Sequence, residues 1–196
     1  MSILSYTFFQ NALLGSLLAS ILCGLIGTYI VARRLVFISG GITHASFGGI
    51  GIGVYLGFSP ILSAAVFSVL SACGIQWFSH RRDMREDSAI AIFWTLGMSI
   101  GIICSFLAPG FTPELSSYLF GNILTVTPSD LYLLGILALI AIVTFTCFLR
   151  PLVSMAFDAE FARSQRLPVI TVEYLMMDFI ALTIVALSLI HISEPT

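Results

Sequence analysis

Six apolar runs, each close to the length of a membrane-spanning helix, follow one another along this chain. They cover about residues 8–32, 36–58, 61–79, 88–108, 131–149 and 169–190. Crossing the hydrocarbon core of a bilayer takes roughly 20 apolar residues in a helix. The segments between the runs are too short and too poor in charge to make a soluble surface. Only 9% of the 196 residues are Asp, Glu, Lys or Arg, against about 25% in a soluble domain. A soluble enzyme, a disordered chain and a nucleic-acid binder with a basic face are all excluded. Membrane lipid is the expected surroundings and no nucleic-acid partner is expected. The predicted fold class is all-α: a polytopic transmembrane helix bundle of about six spans.

Residues 111–130 break the pattern. They are mildly apolar, but Pro113, Glu114, Gly121, Asn122 and Pro128 interrupt them. Such a stretch reads as a short re-entrant or half-helix segment at one membrane face, tolerated only where protein or water covers it.

Every basic residue is an arginine. They form three groups: Arg33 and Arg34; Arg81, Arg82 and Arg85; Arg150, Arg163 and Arg166. With six spans all three groups fall on one side, while Glu114 and Asp130 fall on the other. The positive-inside rule makes the arginine side cytoplasmic and puts the N-terminus outside. The absence of lysine also removes any Gly-x-x-x-x-Gly-Lys-Ser/Thr phosphate loop, so ATP hydrolysis is not expected on this chain. No catalytic residue is assigned.

His44 lies inside the glycine-rich second run. An ionisable ring at membrane depth usually faces a bundle interior or wet cavity, and imidazole is a common ligand for zinc and related metals. The alternative is a ring that merely hydrogen-bonds a neighbouring helix. Gly40, Gly41, Gly48 and Gly49 read as residues for close helix packing. Asp178, in the sixth run, is either part of a cation path, a partner for a ring such as His44, or a tolerated polar residue near the headgroups. Residues 154–163 read as one short amphipathic helix on the cytoplasmic side, either lying on lipid or docking as a knob into a partner protein. Asp158 and Glu160 are nearer its start and Arg163 is at its end, the order that the helix dipole favours. Phe157 and Phe161, four apart, share a face. The stretch 80–87 reads as a solvated turn with charge pairs. Cys23, Cys73, Cys104 and Cys147 lie in separate runs without ligand spacing, and read as small buried hydrophobes.

Three stretches together resemble the permease subunit of metal-ion ABC importers, the zinc, manganese and iron family. The first is Arg33-Arg34 with residues 37–53, Phe-Ile-Ser-Gly-Gly-Ile-Thr-His-Ala-Ser-Phe-Gly-Gly-Ile-Gly-Ile-Gly. The second is residues 117–130, beginning Ser-Tyr-Leu-Phe-Gly. The third is Phe157-Asp-Ala-Glu-Phe-Ala-Arg163 with Leu167-Pro168-Val169. The resemblance runs in order to about residue 188 and implies a permease of an ATP-driven divalent-metal importer in the plasma (inner) membrane of a prokaryote. It implies a homodimer, a cytoplasmic ABC ATPase that binds the ATP, and an extracytoplasmic metal-binding protein. The metal ion is cargo, and no covalent cofactor is implied. Phe157, Asp158, Glu160, Phe161, Ala162 and Arg163 match the segment that couples to the ATPase, and His44 matches a residue of the translocation path. Three departures stand out. Gly40 replaces a common Asp, which tilts the expected cargo toward zinc or calls for two His44 side chains facing across a homodimer axis; Ala159 replaces the usual Pro, and Arg166 stands where Gly is typical. Residues 1–188 read as a transmembrane permease domain lacking its last spans, and 189–196 as a non-native tail. The rival readings are a siderophore or vitamin B12 permease and a membrane enzyme or scaffold with no ATPase.

Overall fold

The computed structural model of the chain describes residues 6–82, 84–108 and 126–189. Every regular element among them is a helix: α1 (Thr7–Ala32), α2 (Ile38–Leu56), α3 (Pro60–Arg82), α4 (Glu86–Leu107), α5 (Pro128–Cys147), α6 (Leu149–Phe157), α7 (Ala159–Ser164) and α8 (Val169–Leu189). The all-α bundle is as the apolar runs predicted. The re-entrant reading falls mostly on residues 109–125, and the tail on 190–196; both stretches lie outside the described residues.

Local chemistry sets the helix ends. Gly57 closes α2 in the left-handed conformation, φ 72°, which costs glycine little. Thr127 and Asp130 form a reciprocal capping box at the start of α5, with Pro128 in its first turn. The charged stretch at 80–87 is not one loop. His80, Arg81 and Arg82 belong to the last turn of α3, and Glu86 and Asp87 to the first turn of α4, the arrangement that each helix dipole favours.

Among the described residues five helices, α1, α3, α4, α5 and α8, are long and apolar enough to cross a membrane. α2 has comparable length, 19 residues, but Gly, Ser, Thr and His44 interrupt its apolar run. Burial compensates: every residue from Ala45 to Gly51 is buried, enclosed chiefly by α4 and α3. A β-carbon built on Gly48 would stand 2.9 Å from the Gly97 carbonyl oxygen, and one on Gly51 would stand 2.5 Å from that of Gly101. On the other face of α2, a β-carbon on Gly49 would run into the Ser63 carbonyl. The increasing register of the first two contacts makes α2 and α4 parallel. Buried hydroxyls on these helices are satisfied locally: Ser68 and Ser105 donate to the carbonyls of Ala64 and Gly101 at 2.7 and 2.8 Å.

α1 runs beside α5. Asn11 Nδ2 donates to the Val126 carbonyl at 3.2 Å, and Tyr29 meets Phe145 edge-on at 6.3 Å. α8 crosses antiparallel to α3 and joins the two sides of the bundle. Where α1 and α3 end and α4 and α8 begin, a buried polar network ties them. Arg33 donates to Glu173 Oε1 at 2.7 Å and to the Met155 carbonyl of α6 at 3.1 Å. Its guanidinium also lies 3.8 Å from Glu86. His80 Nε2 is 2.9 Å from the other Glu173 oxygen, and Gln76 lies 2.8 Å from the same ring nitrogen. Glu173 is only 4% exposed. One carboxylate thus holds an arginine from α1 and a histidine from α3.

The amphipathic stretch differs from its expectation. It is two helices rather than one, because Asp158 is extended (φ −150°, ψ 94°) and caps α7, its Oδ1 accepting from the Phe161 N–H at 2.8 Å. A short side chain that bonds its own backbone favours a cap over a helix interior, so Phe157 and Phe161 do not share a helical face. Arg166 adopts φ 59° just after α7. A left-handed position there explains why glycine suits it, since a β-carbon costs roughly 1–2 kcal/mol in that conformation. The cysteines also depart from expectation. Cys23 and Cys147 are exposed, Cys73 and Cys104 are half-buried, and all four are free; the outward pair faces the apolar surroundings of a membrane bundle.

Two stability outcomes follow from this packing. Gly51→Ala should cost about 1–3 kcal/mol through overpacking, whereas Gly27→Ala, with nothing within 4 Å of the new carbon, should be neutral or slightly stabilising. Glu173→Ala strands the Arg33 charge and should cost about 3–5 kcal/mol, more than replacing both partners by methionine. Thermal unfolding in detergent measures both; equal behaviour of the two glycine variants would contradict the packing argument.

Candidate functional site

α2 carries Gly40 and His44 one turn apart on the face that meets α4. The imidazole stacks on the Trp94 indole of α4, with ring centroids 4.5 Å apart and planes 13° from parallel. His44 Nδ1 is buried and has no hydrogen-bond partner; Arg33 Nε is the other such side-chain atom among the described residues. A β-carbon on Gly40 would stand 3.3 Å from Trp94 Cζ3 and 3.5 Å from Cη2. The space beside His44 is therefore filled by an indole. Of the two readings of His44, the hydrogen-bonded tether to a neighbouring helix is not what the geometry gives: the contact is a stack. A ring nitrogen without a partner keeps its donor or acceptor capacity for something else.

Asp178 does not meet His44. Its carboxylate accepts from the Cys73 thiol of α3, at 3.3 Å to Oδ1 and 3.6 Å to Oδ2. No group of three His, Cys, Asp or Glu side chains close enough to hold a metal ion occurs among the described residues. His44 and Asp178 are thus separate polar points in the bundle, one stacked and one bonded to a thiol.

The third element lies at the polar end. Phe157 and Phe161 are 79% and 53% exposed, and Glu160 and Arg163 are exposed as well. Ala162 is fully buried, packed with Met155 and Val169. Asp158 spends its side chain on the cap of α7. An open cleft of about 430 Å³ lies beside this knob, walled by Arg33, Arg34, Glu86 and Phe157. The knob is held to the bundle by the Arg33 bond to the Met155 carbonyl.

Sequence reasoning missed Glu173, His80, Gln76 and Trp94. Glu173 left a signal, since a carboxylate inside an apolar run is a functional candidate by default and Asp178 was singled out in the same run. Trp94 left none: one aromatic in an apolar helix is ordinary, and only the fold brings it over His44.

The chain matches the family described as the ABC 3 transport family over residues 5–190. A membrane protein of Synechocystis, slr2045, is 42% identical over 182 residues, 93% of this chain and 65% of that protein. The manganese transport system membrane protein MntC of Halalkalibacterium halodurans is 33% identical over 184 residues, 94% of this chain and 63% of that one. PsaBC from Streptococcus pneumoniae, solved in complex with Fab, superposes with a TM-score of 0.75 at 28% identity, covering 96% of this chain and 67% of that one. The chain spans a little under two thirds of the length of these curated relatives. The resemblance read from residues 33–53, 117–130 and 157–169 is thereby borne out, and the chain belongs to the ABC 3 transport family.

Proposed function

We propose that this chain is the membrane-spanning part of an ATP-driven importer of a divalent metal ion. The observation that carries the proposal is a histidine in the most enclosed helix of the bundle, with a buried ring nitrogen that bonds to nothing. Family membership and a relative named for manganese transport support it. The ion would pass His44, borrow a ring nitrogen as a transient ligand and move on, as conduction needs binding weak enough to release. The finer choice of cargo rests on two opposed arguments. Gly40 removes a carboxylate and favours zinc, which suits imidazole, over manganese, which suits oxygen ligands. The named relatives favour manganese, and manganese is the cargo proposed first.

ATP binding and hydrolysis belong to a cytoplasmic ABC ATPase partner. Residues 157–163, with Phe157 and Phe161 exposed, are its docking knob. The arginine groups follow the helix ends that the Arg33 network draws together, which supports a cytoplasmic position for that end and an outside N-terminus. A second copy of the permease and an extracytoplasmic metal-binding protein complete the assembly. Residues 5–190, which the family model matches, are read as part of this permease. Asp178, bonded to Cys73, is a secondary candidate for the cation path.

Uptake of radioactive manganese into proteoliposomes holding the complete transporter tests the reading. The unaltered protein should accumulate the ion only with ATP inside the compartment that the ATPase faces. His44→Ala should lower the rate by at least about tenfold, since even residues that only orient a metal ligand are worth about 10–100-fold. Undiminished uptake by that variant would remove His44 from the path. Excess zinc that abolishes manganese uptake and is itself accumulated faster would reverse the order of the two metals.

A further inference from the structure

His44 lacks the device that usually aims a histidine. A metal-binding or catalytic imidazole commonly donates its second nitrogen to a carboxylate or carbonyl, and that bond fixes ring plane and tautomer. No hydrogen bond among the described residues holds the His44 ring, and its Nδ1 is buried without a partner. The indole of Trp94 takes over the restraint. With planes 13° apart and centroids 4.5 Å apart, it covers one face of the imidazole and limits rotation of the ring about its Cβ–Cγ bond.

α2 and α4 are held close on both sides of Trp94 along the helix. Gly40 leaves the outer ring of the indole room, and a β-carbon there would already stand 3.3 Å from Cζ3. Toward one end, Gly41 is pressed against Ile90, so α2 and α4 cannot spread there without a gap. Toward the other, Gly48 and Gly97 bring the two backbones together. A side chain at position 40 would therefore press on the outer ring of the indole, which would have to give by a few tenths of an ångström.

We infer that Trp94 is the positioning residue for His44, and that Gly40 is the clearance that lets it act. Stacking replaces the missing hydrogen bond, keeping the ring plane fixed while leaving Nδ1 unengaged. An indole face also favours a ring that has gained positive charge, whether from a metal ion or a proton. The inference rests on the reading of His44 as a transient ligand and names a residue that this reading does not require.

Manganese uptake by the complete transporter in proteoliposomes tests it, with rates expressed per permease–ATPase complex recovered. Trp94→Leu keeps an apolar side chain and removes the flat face. It should raise the half-saturating manganese concentration by about tenfold, the weight of a residue that orients a ligand, with the maximal rate per complex little changed. Trp94→Phe restores a face and should recover most of that loss. Gly40→Asp alone should impair uptake by displacing the indole, and Gly40→Asp with Trp94→Ala should recover part of it. Unchanged half-saturation in Trp94→Leu, or equal losses in the Leu and Phe variants, would overturn the inference. If Trp94→Leu does not assemble with the ATPase, Gly40→Asp decides, since it crowds the indole without removing it: uptake equal to the unaltered protein overturns the inference. Loss of uptake in His44→Ala beside normal uptake in Trp94→Leu and Gly40→Asp would sink this inference alone. Normal uptake in His44→Ala would sink it together with the transport reading of His44.

Discussion

The close approach of α2 and α4 decides most of what this bundle can do. Lipid tails are as apolar as leucine, so helices in a membrane gain nothing by hiding apolar surface from each other; they associate through contact packing. Gly48, Gly51, Gly97 and Gly101 supply that contact by letting backbone meet backbone. The same approach lets a helix as polar as α2 sit in the interior, where Ser46 bonds the carbonyl of Thr43 at 2.6 Å rather than facing lipid. It also sets the distance between His44 and Trp94. Added separation would loosen the stack from its 4.5 Å, so the glycines favour the contact between indole and imidazole.

At the polar end the cost runs the other way. Burying Arg33, Glu173 and His80 together forfeits hydration that their mutual attraction only partly returns. A hydrophobic seam of equal volume would hold the helices at least as well. What the ionic version adds is connection: one guanidinium bonds α8 and the backbone of α6, and approaches α4. A shift of α6 pulls on Arg33, and through Glu173 on His80 of α3. Under the proposed function, α6 and the α7 knob are where an ATPase would push. A joint of discrete bonds can hold in one arrangement and re-form in another, whereas a greasy seam slides.

How much of this the sequence carried depends on the range of the cause. The helices follow from apolar runs and from local stops such as Gly57-Phe58-Ser59-Pro60 and Thr127-Pro128, all of which act within a few residues. In the stretch 154–163 two local signals compete. Helical spacing of Phe157 and Phe161 argues for one helix, while Asp158 argues for a cap, and the cap prevails. Glu173 was legible in principle, as a carboxylate in an apolar run. Its partners were not, because Arg33 and Gln76 are 140 and 97 residues away in the chain. The same holds for the Cys73–Asp178 pair, 105 residues apart. Gly40 could be read as a missing carboxylate but not as room for an indole, since that meaning exists only once α4 is packed beside α2.

The lone imidazole also bears on what kind of site this can be. A storage or structural metal site gathers three or four protein ligands and holds the ion tightly. Among the described residues His44 has no second ligand within such a group, and Asp178 is engaged by a thiol on another helix pair. Under the proposed function, a cation beside His44 would take its remaining ligands from water or from groups beyond the described residues, and a site of that kind would release the ion as conduction requires. A ring aimed by stacking suits the same end, because the indole constrains the plane of the ligand without adding a charge that would bind the cation in its own right.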